Sequence, residues 1–259
     1  QHEESIGEIS PAKVEVNEYK GIDVEDAVLF AEALLQNGPW EIYRYEQMDM
    51  NGDFNIDVKD LEIVNDLCLN KVPASSTPET WLFFGANNYK YKGNQYVKSL
   101  PHSSPFESLQ FAGMKVGDFN FDALSQKLPL DNINFKADDF LLYKDEKYNI
   151  PIMGGEALKI KGMQFALSKE DEFTLDSIKS DLFKEILINE LDSTYKVLCF
   201  APNEELLQGG VAIDSGLALF KLHITSKANT VLSKVLFMKD ESALIVSSDR
   251  KLKPGISFD

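Results

Sequence analysis

The sequence is poor in histidine and in basic residues, and both shortages limit what the protein does. His2, His102 and His223 lie far apart, without the spacing of a metal-binding cluster or a catalytic triad. The 26 Lys and Arg residues face 42 Asp and Glu residues, which gives a formal net charge of −16. This balance repels nucleic-acid phosphates and anionic membrane surfaces and argues against both as partners.

Long apolar runs are also missing. No stretch approaches the roughly 18 consecutive apolar residues that a membrane-spanning helix needs. No signal peptide is recognisable and the sequence begins at Gln1, so we expect a mature or trimmed protein whose targeting segment is not in this sequence. There are two cysteines, Cys68 and Cys199, each among apolar residues. They form either one disulfide or two buried free thiols.

Recognisable catalytic motifs are absent as well. No feature singles out an acid and a base among the 42 acidic residues, as glycoside hydrolysis would require. The pair Ser103 and Ser104 lacks the surroundings of a nucleophile elbow. We therefore expect a protein that is not an enzyme.

An internal repeat is the first positive feature. Residues 21–26 (GIDVED) recur as residues 55–60 (NIDVKD). Each copy opens a stretch with apolar residues at helical spacing, and Asp23 and Asp57 stand where helix N-caps belong. Two loop-and-helix units in tandem predict a small helical module.

The second copy includes a loop with oxygen-bearing side chains at alternating positions. A twelve-residue calcium loop takes its ligands from positions 1, 3, 5, 7, 9 and 12. In residues 49–60 these positions hold Asp49, Asn51, Asp53, Asn55, Asp57 and Asp60. Asn55 would bind through its backbone carbonyl, Asp57 through water, and Gly52 would allow the turn. The spacing predicts one structural Ca2+ ion.

The first copy departs from this pattern. Its corresponding positions hold Glu15, Asn17, Tyr19, Asp23 and Asp26. Tyr19 cannot replace a carboxylate ligand, so this loop is predicted to bind calcium weakly or not at all. Asp118 and Asn120 have the spacing of positions 1 and 3 of a third calcium loop, but the later positions of that loop lack ligands.

The region between residues 73 and 126 is aromatic and is interrupted by Gly, Pro and Ser, which favours extended segments over long helices. Trp81, Tyr89 and Tyr91 are candidates for a platform that stacks on sugar rings. Such a cluster more often forms a core beneath a loop, and both interpretations stay open.

Beyond a polar stretch near residues 125–135, short alternating apolar segments are separated by turn residues. They span residues 140–142, 157–160, 163–167, 195–200, 217–224 and 243–246. This pattern is typical of an antiparallel β-sandwich, whereas residues 181–191 fit a strand or a helical turn. We expect an α+β, multi-domain chain: residues 1–128 form the calcium-binding repeat with its aromatic extension, and residues 129–259 form the sandwich.

These segments resemble known families. Residues 13–70, and above all DMNGDFNIDVKD at 49–60, resemble a type I dockerin, a duplicated module of EF-hand-type calcium loop and helix. Residues 80–84 and 113–118 are similar to an extension that follows such repeats in large secreted bacterial surface proteins. The part from about residue 140 to 246, chiefly 162–168 and 217–222, resembles the cohesin-type sandwich, whose fold is shared with carbohydrate-binding modules.

The resemblance implies a function as well as a fold. Dockerins bind cohesins and help to assemble polysaccharide-degrading complexes. It therefore implies a non-catalytic binding or adhesion protein, secreted or on a bacterial cell surface, with a cohesin- or dockerin-like protein partner. Having both module types in one chain equally suggests that the two domains dock on each other. The alternative is an accessory carbohydrate-binding module of a glycan-utilisation system.

Overall fold

The computed structural model describes residues 22–36, 47–71, 81–85, 89–92, 95–98, 111–120 and 130–259. For the strands between 81 and 115 and for residues 240–242 it describes the backbone only. The helices of the described part are α1 (Val24–Gln36), α2 (Val58–Cys68), α3 (Asn203–Leu207) and α4 (Leu232–Val235). None of these helices is long and apolar enough to cross a membrane.

The two predicted N-terminal helices are present and pack on each other. α1 buries Val24, Ala27 and Val28 on one face, and α2 buries Val64 and Leu67. Both faces follow the three-to-four-residue spacing seen in the sequence. α1 ends at Gln36, shortly before a proline that cannot continue a helix.

Four short strands follow in the part of residues 72–115 that the structure describes, as expected for extended segments. β1 (Trp81–Gly85) pairs with β4 (Phe111–Lys115), and β2 (Tyr89–Lys92) pairs with β3 (Gln95–Lys98), all antiparallel. After β4, residues 116–120 return to α1, and we call them the strap. The turn occurs at Gly117, with φ of 85°, where an added Cβ would lie 3.2 Å from the side chains of Ile22 and Met50.

The C-terminal half is built from twelve strands. They are β5 (Asp131–Ala137), β6 (Leu141–Leu142), β7 (Lys147–Met153), β8 (Leu158–Ser168), β9 (Phe173–Lys179), β10 (Glu185–Glu190), β11 (Thr194–Phe200), β12 (Val211–Ile213), β13 (Ala218–Ser226), β14 (Thr230–Val231), β15 (Met238–Ser247) and β16 (Lys251–Phe258). Each alternating segment predicted from the sequence falls in one of them. The ambiguous residues 181–191 contain β10.

The strands form a sandwich whose hydrogen-bonded order is β10-β11-β8-β15-β16-β5-β7-β13-β9, with β12 beside β8. Aromatic rings from opposite ends of this order meet in the core. The centroids of Phe165 on β8 and Phe220 on β13 are 5.6 Å apart, and those of Phe173 and Tyr195 are 6.4 Å apart. The sheet therefore closes over itself into two layers, and the layer from β10 to β16 has a separate outer face.

The prediction of an antiparallel sandwich is wrong at one pair of strands. β16 runs parallel to β5, in register from Leu252 beside Asp131 to Phe258 beside Ala137. The first and last long strands of the sandwich thus lie side by side. Alternating apolar residues indicate which face of a strand is buried but not its direction, so the sequence pattern could not distinguish this pairing.

Candidate metal centre and docking face

Residues 49–60 form a compact loop before α2, and its first side chain holds the turn together. The Asp49 carboxylate accepts hydrogen bonds from three successive N–H groups. The donors are Gly52 at 2.9 Å, Asp53 at 3.1 Å and Phe54 at 2.9 Å. Asn51 Oδ1 also accepts from the Asp53 N–H, at 2.8 Å. The side chains at loop positions 1 and 3 are therefore turned onto the loop backbone.

The sharpest part of the turn lies at position 6 of the loop. Phe54 has a left-handed backbone, with φ of 65°, and its side chain is 77% exposed. Calcium loops of this class use glycine at position 6 because the backbone must turn there. Gly52, to which the sequence assigned the turn, also has a positive φ, of 74°. The loop therefore turns at positions 4 and 6, and the residue at position 6 carries a strained backbone.

Asp60 closes the loop from the first turn of α2. One oxygen accepts the N–H groups of Met50 (2.8 Å) and Asn51 (3.1 Å), and the other accepts that of Asp57 at 2.9 Å. Asp57 in turn caps the helix by accepting the Lys59 N–H at 2.8 Å, as its N-cap position predicted. Asp60 is buried, and this burial raises the pKa of its carboxyl group.

The chemistry of the loop fits Ca2+, which prefers oxygen ligands. Every predicted ligand offers oxygen, and the N–H of Asn55 lowers the pKa of Asp53, which keeps that carboxylate charged. Within the described part of the chain, no three His, Cys, Asp or Glu side chains converge as a metal cluster. At Asp60 both oxygens already accept backbone N–H groups. Calcium binding by residues 49–60 stays a prediction.

The first repeat has a second clamp of the same kind, centred on Asp26. This residue is fully buried. One oxygen accepts the Asp23 N–H at 2.9 Å, and the other accepts those of Phe119 (2.7 Å) and Asn120 (3.2 Å) in the strap. Burial, followed by the nearby charge of Asp23, raises the pKa of Asp26 well above its usual range.

The sequence did not reveal this partnership between the strap and α1. Glu15 and Asn17, the predicted early ligands of the first loop, lie outside the described residues, whereas Asp23 and Asp26 are the buried acids just described. Asp118 and Asn120 have the same spacing as Asp49 and Asn51. That spacing was the signal in the sequence that residues 118–120 resemble the start of a loop. The acid that accepts the N–H groups of residues 119 and 120, Asp26, lies more than ninety positions earlier.

The predicted carbohydrate platform is divided between two small sheets. Trp81 opens β1, which pairs with β4, and Tyr89 and Tyr91 lie on β2, which pairs with β3. Their side chains lie outside what the structure describes, so the platform stays a prediction.

Helix α1 lies on the outer face of the sandwich, directly above Gly162 of β8. A Cβ added there would lie 2.6 Å from Cγ2 of Val28 and 2.9 Å from Cγ2 of Val24. The glycine therefore lets the helix approach the strand more closely than any other residue would allow. Beside it, Lys161 Nζ is 2.7 Å from a carboxylate oxygen of Glu32 on α1, and both side chains are largely buried.

Two further contacts hold the helical unit, which we define as α1, the loop 49–57, α2 and the strap. At the start of α1, Glu25 forms an ion pair with Lys251 of β16. At the end of α2, Asn189 of edge strand β10 donates a hydrogen bond to the Leu69 carbonyl at 3.0 Å. The unit thus spans the outer face from β16 to β10. The sequence is compatible with such docking but does not indicate which residues make these contacts.

The cysteines belong to different parts of this arrangement. Both are buried and free, and burial raises the pKa of both thiols. Lys196 of β11 lies on the outer face, where its charge acts on Cys68 of α2. Cys199 has the opposite parity on β11 and so faces the sandwich core. The sheet separates the two thiols, which settles the open choice in favour of free cysteines.

A cavity of about 590 Å3 remains along the seam between the helical unit and the sandwich. The described residues that line it are mainly apolar. They include Ala31, Leu34 and Leu35 of α1, Val58 and Leu61 of α2, and Phe200 and Leu206 of the sandwich.

Comparison with known proteins gave matches in structure only. No family model matches the sequence, and no curated protein matches it. A type I cohesin–dockerin complex from Clostridium thermocellum matches with 14% identity and a TM-score of 0.35, over 50% of this chain and 100% of that one. The seventh ScaB type I cohesin of Pseudobacteroides cellulosolvens matches with 13% identity and a TM-score of 0.36, over 50% and 94%.

A third structure is the cohesin module of a family 33 glycoside hydrolase from Clostridium perfringens. It has 16% identity and a TM-score of 0.29, over 47% of this chain and 98% of that one. Each of these three solved structures contains a cohesin module and matches about half of this chain. Because these TM-scores lie below 0.5, the sandwich fold rests on the strand order and registers given above.

Proposed function

We propose that this chain is a non-catalytic binding protein, secreted or held on a bacterial surface, whose sandwich binds helices on its outer face. The observation that supports it most is the seating of α1 over Gly162, with Glu32 and Glu25 paired to Lys161 and Lys251. A sheet face that combines a glycine groove with basic ends is suited to an apolar helix with acidic ends. The partner class we propose is the dockerin- or cohesin-like protein that the sequence resemblance implies, within polysaccharide-degrading assemblies.

Calcium has a structural role in this proposal. Asp49, Asp53 and Asp60 are like charges in one short loop, and an ion bound among them would relieve their repulsion and order the start of α2. α2 packs against α1, which in turn contacts the outer face, so an ordered loop favours the docked unit. Residues 49–60 therefore couple calcium to the exposure of the docking face.

The reactivity of Cys68 tests this coupling in the intact protein. Its thiol is buried on α2, near the charge of Lys196 on the outer face, whereas Cys199 lies in the sandwich core and serves as an internal control. We expect a thiol reagent to modify Cys68 several-fold faster after calcium is removed by a chelator, with Cys199 unchanged. Equal protection of Cys68 with calcium and with chelator would contradict the coupling.

A further inference from the structure

The docked helical unit and the face beneath it have opposite charge. Residues 22–36 and 47–71 contain ten acidic residues and two lysines. The face below contributes Lys161, Lys196 and Lys251, two of which pair with Glu32 and Glu25 of α1. The whole chain has a net charge of −16, so these three lysines form a basic patch on an otherwise acidic protein. The patch is complementary in charge to the acidic helical unit and favours an acidic partner.

The contact between unit and face leaves an open space and unpaired polar atoms along its seam. The cavity of about 590 Å3 in the seam opens to solvent. Gln164 lies on the outer face two residues from Gly162 and is 4% exposed, and its Oε1 has no hydrogen-bond partner among the described residues. Asn65 Oδ1, on α2 beside the cavity, is also buried without a hydrogen-bond partner among the described residues. Buried polar atoms are normally hydrogen-bonded, so the contact is not fully satisfied at these two positions.

The helical unit also has internal contacts that do not involve the sandwich. α1 and α2 pack together, and Asp26 holds the strap through Phe119 and Asn120. The rings of Phe30 on α1 and Phe119 meet edge to face, with centroids 5.1 Å apart. In sequence, residues 121–129 join the strap to the sandwich, and nine residues span at most about 30 Å. The unit can leave its own face without losing these internal contacts.

From these observations we propose that the outer face of β10, β11, β8, β15 and β16 is an exchangeable docking site, and that a second copy of this chain supplies its other occupant. The helical unit of one copy then lies on the sandwich of the other, and vice versa, with the same groove and ion pairs. This inference rests on the proposed helix-binding role of the face and names its partner. It does not require calcium. In cis the unit masks the face, so exchange is favoured by high protein concentration.

A charge exchange between Glu32 and Lys161 separates docking in cis from docking in trans. Glu32→Lys gives a unit that its own face repels, and Lys161→Glu gives a face that repels its own unit. When the two variants are mixed, each unit matches the other copy's face. The double variant Glu32→Lys/Lys161→Glu restores the match within one chain and is the matched control. Light scattering after size exclusion measures the mass of each sample, and circular dichroism verifies that each is folded.

We expect the mixture to form a species of twice 29.2 kDa, at least about tenfold more abundant than in either variant alone, while the double variant stays monomeric. A mixture that stays monomeric, while the double variant regains the wild-type melting temperature, would overturn the exchange and leave the face as a site used in cis. If Glu32→Lys, whose face keeps Lys161, binds a synthetic peptide of residues 22–36 while the mixture stays monomeric, the face accepts a separate helix and the second copy is excluded as its occupant.

Discussion

Asp26 and Asp60 accept hydrogen bonds in the same pattern, although they lie in different repeats. Each bonds through one oxygen to the N–H of the residue three positions before it. The other oxygen of each carboxylate accepts hydrogen bonds from two consecutive backbone N–H groups elsewhere in the chain. For Asp60 that segment is its own loop, and for Asp26 it is the strap. The repeat seen in the sequence is therefore also a repeat in hydrogen bonding, completed once within a loop and once by a distant segment.

Replacing Asp26 should destabilise the protein strongly. Asp26→Ala leaves three backbone N–H groups without their acceptor, two of them at the buried strap, and we expect a loss of about 3 kcal/mol in the free energy of unfolding. Urea unfolding followed by circular dichroism measures it. Asp66→Ala, which removes an acid with an exposed partner in Lys71, is the control and should change stability by less than about 0.5 kcal/mol. Equal effects of the two variants would show that the clamp contributes little.

Phe54 should be replaceable with a gain in stability. A left-handed backbone costs a residue with a Cβ about 1–2 kcal/mol, and glycine avoids most of that. We expect Phe54→Gly to raise the free energy of unfolding by about 0.5–1 kcal/mol after the entropy of glycine in the unfolded chain is included. Phe54→Ala keeps the Cβ and should give no gain. If both variants lose stability equally, the ring itself contributes a contact that outweighs the strain.

Replacing Asp53 should weaken calcium binding and change the stability of the fold very little. Its side chain is exposed, so Asp53→Ala should leave the melting temperature of the chelator-treated protein nearly unchanged. Because the loop loses one charged ligand, we expect the calcium affinity to fall at least about tenfold. Calorimetric titration of wild type and variant gives both values. An unchanged melting temperature together with an unchanged response to calcium would remove Asp53 from the ligand set.

Gly162→Leu should undock the helical unit while the sandwich stays folded. Any Cβ at this position meets Val24 and Val28 at less than 3.0 Å, so α1 has to move outward. A thiol with a raised pKa is protonated and unreactive near pH 8 while it is buried. We therefore expect Cys68 to react in this variant and Cys199 to stay protected. Ala212→Leu, at an exposed position on neighbouring β12, is the control and should leave both thiols protected.

The sequence indicated those elements whose patterns are local. The helical spacing in residues 24–35 and 61–68 and the alternation in residues 195–200 each depend on neighbouring residues, and each gave the observed element. The N-cap at Asp57 was visible for the same reason.

Features that join distant segments were not predicted. The strap reaches Asp26 across more than ninety positions, and the parallel pairing of β5 with β16 joins the two ends of the sandwich. Gly162 reads as an ordinary glycine within a strand until α1 is seen above it. Each of these contacts joins residues that are far apart in the sequence. No local pattern of apolar or polar residues indicates that they meet.

Calcium titration by calorimetry on chelator-stripped protein tests the central claim most directly, with melting curves recorded alongside. We expect one site, in residues 49–60, whose occupancy raises the melting temperature. Absence of binding would contradict the assignment of Asp49, Asn51, Asp53 and Asp60 as ligands and would leave the docked helical unit without the ion proposed to order it.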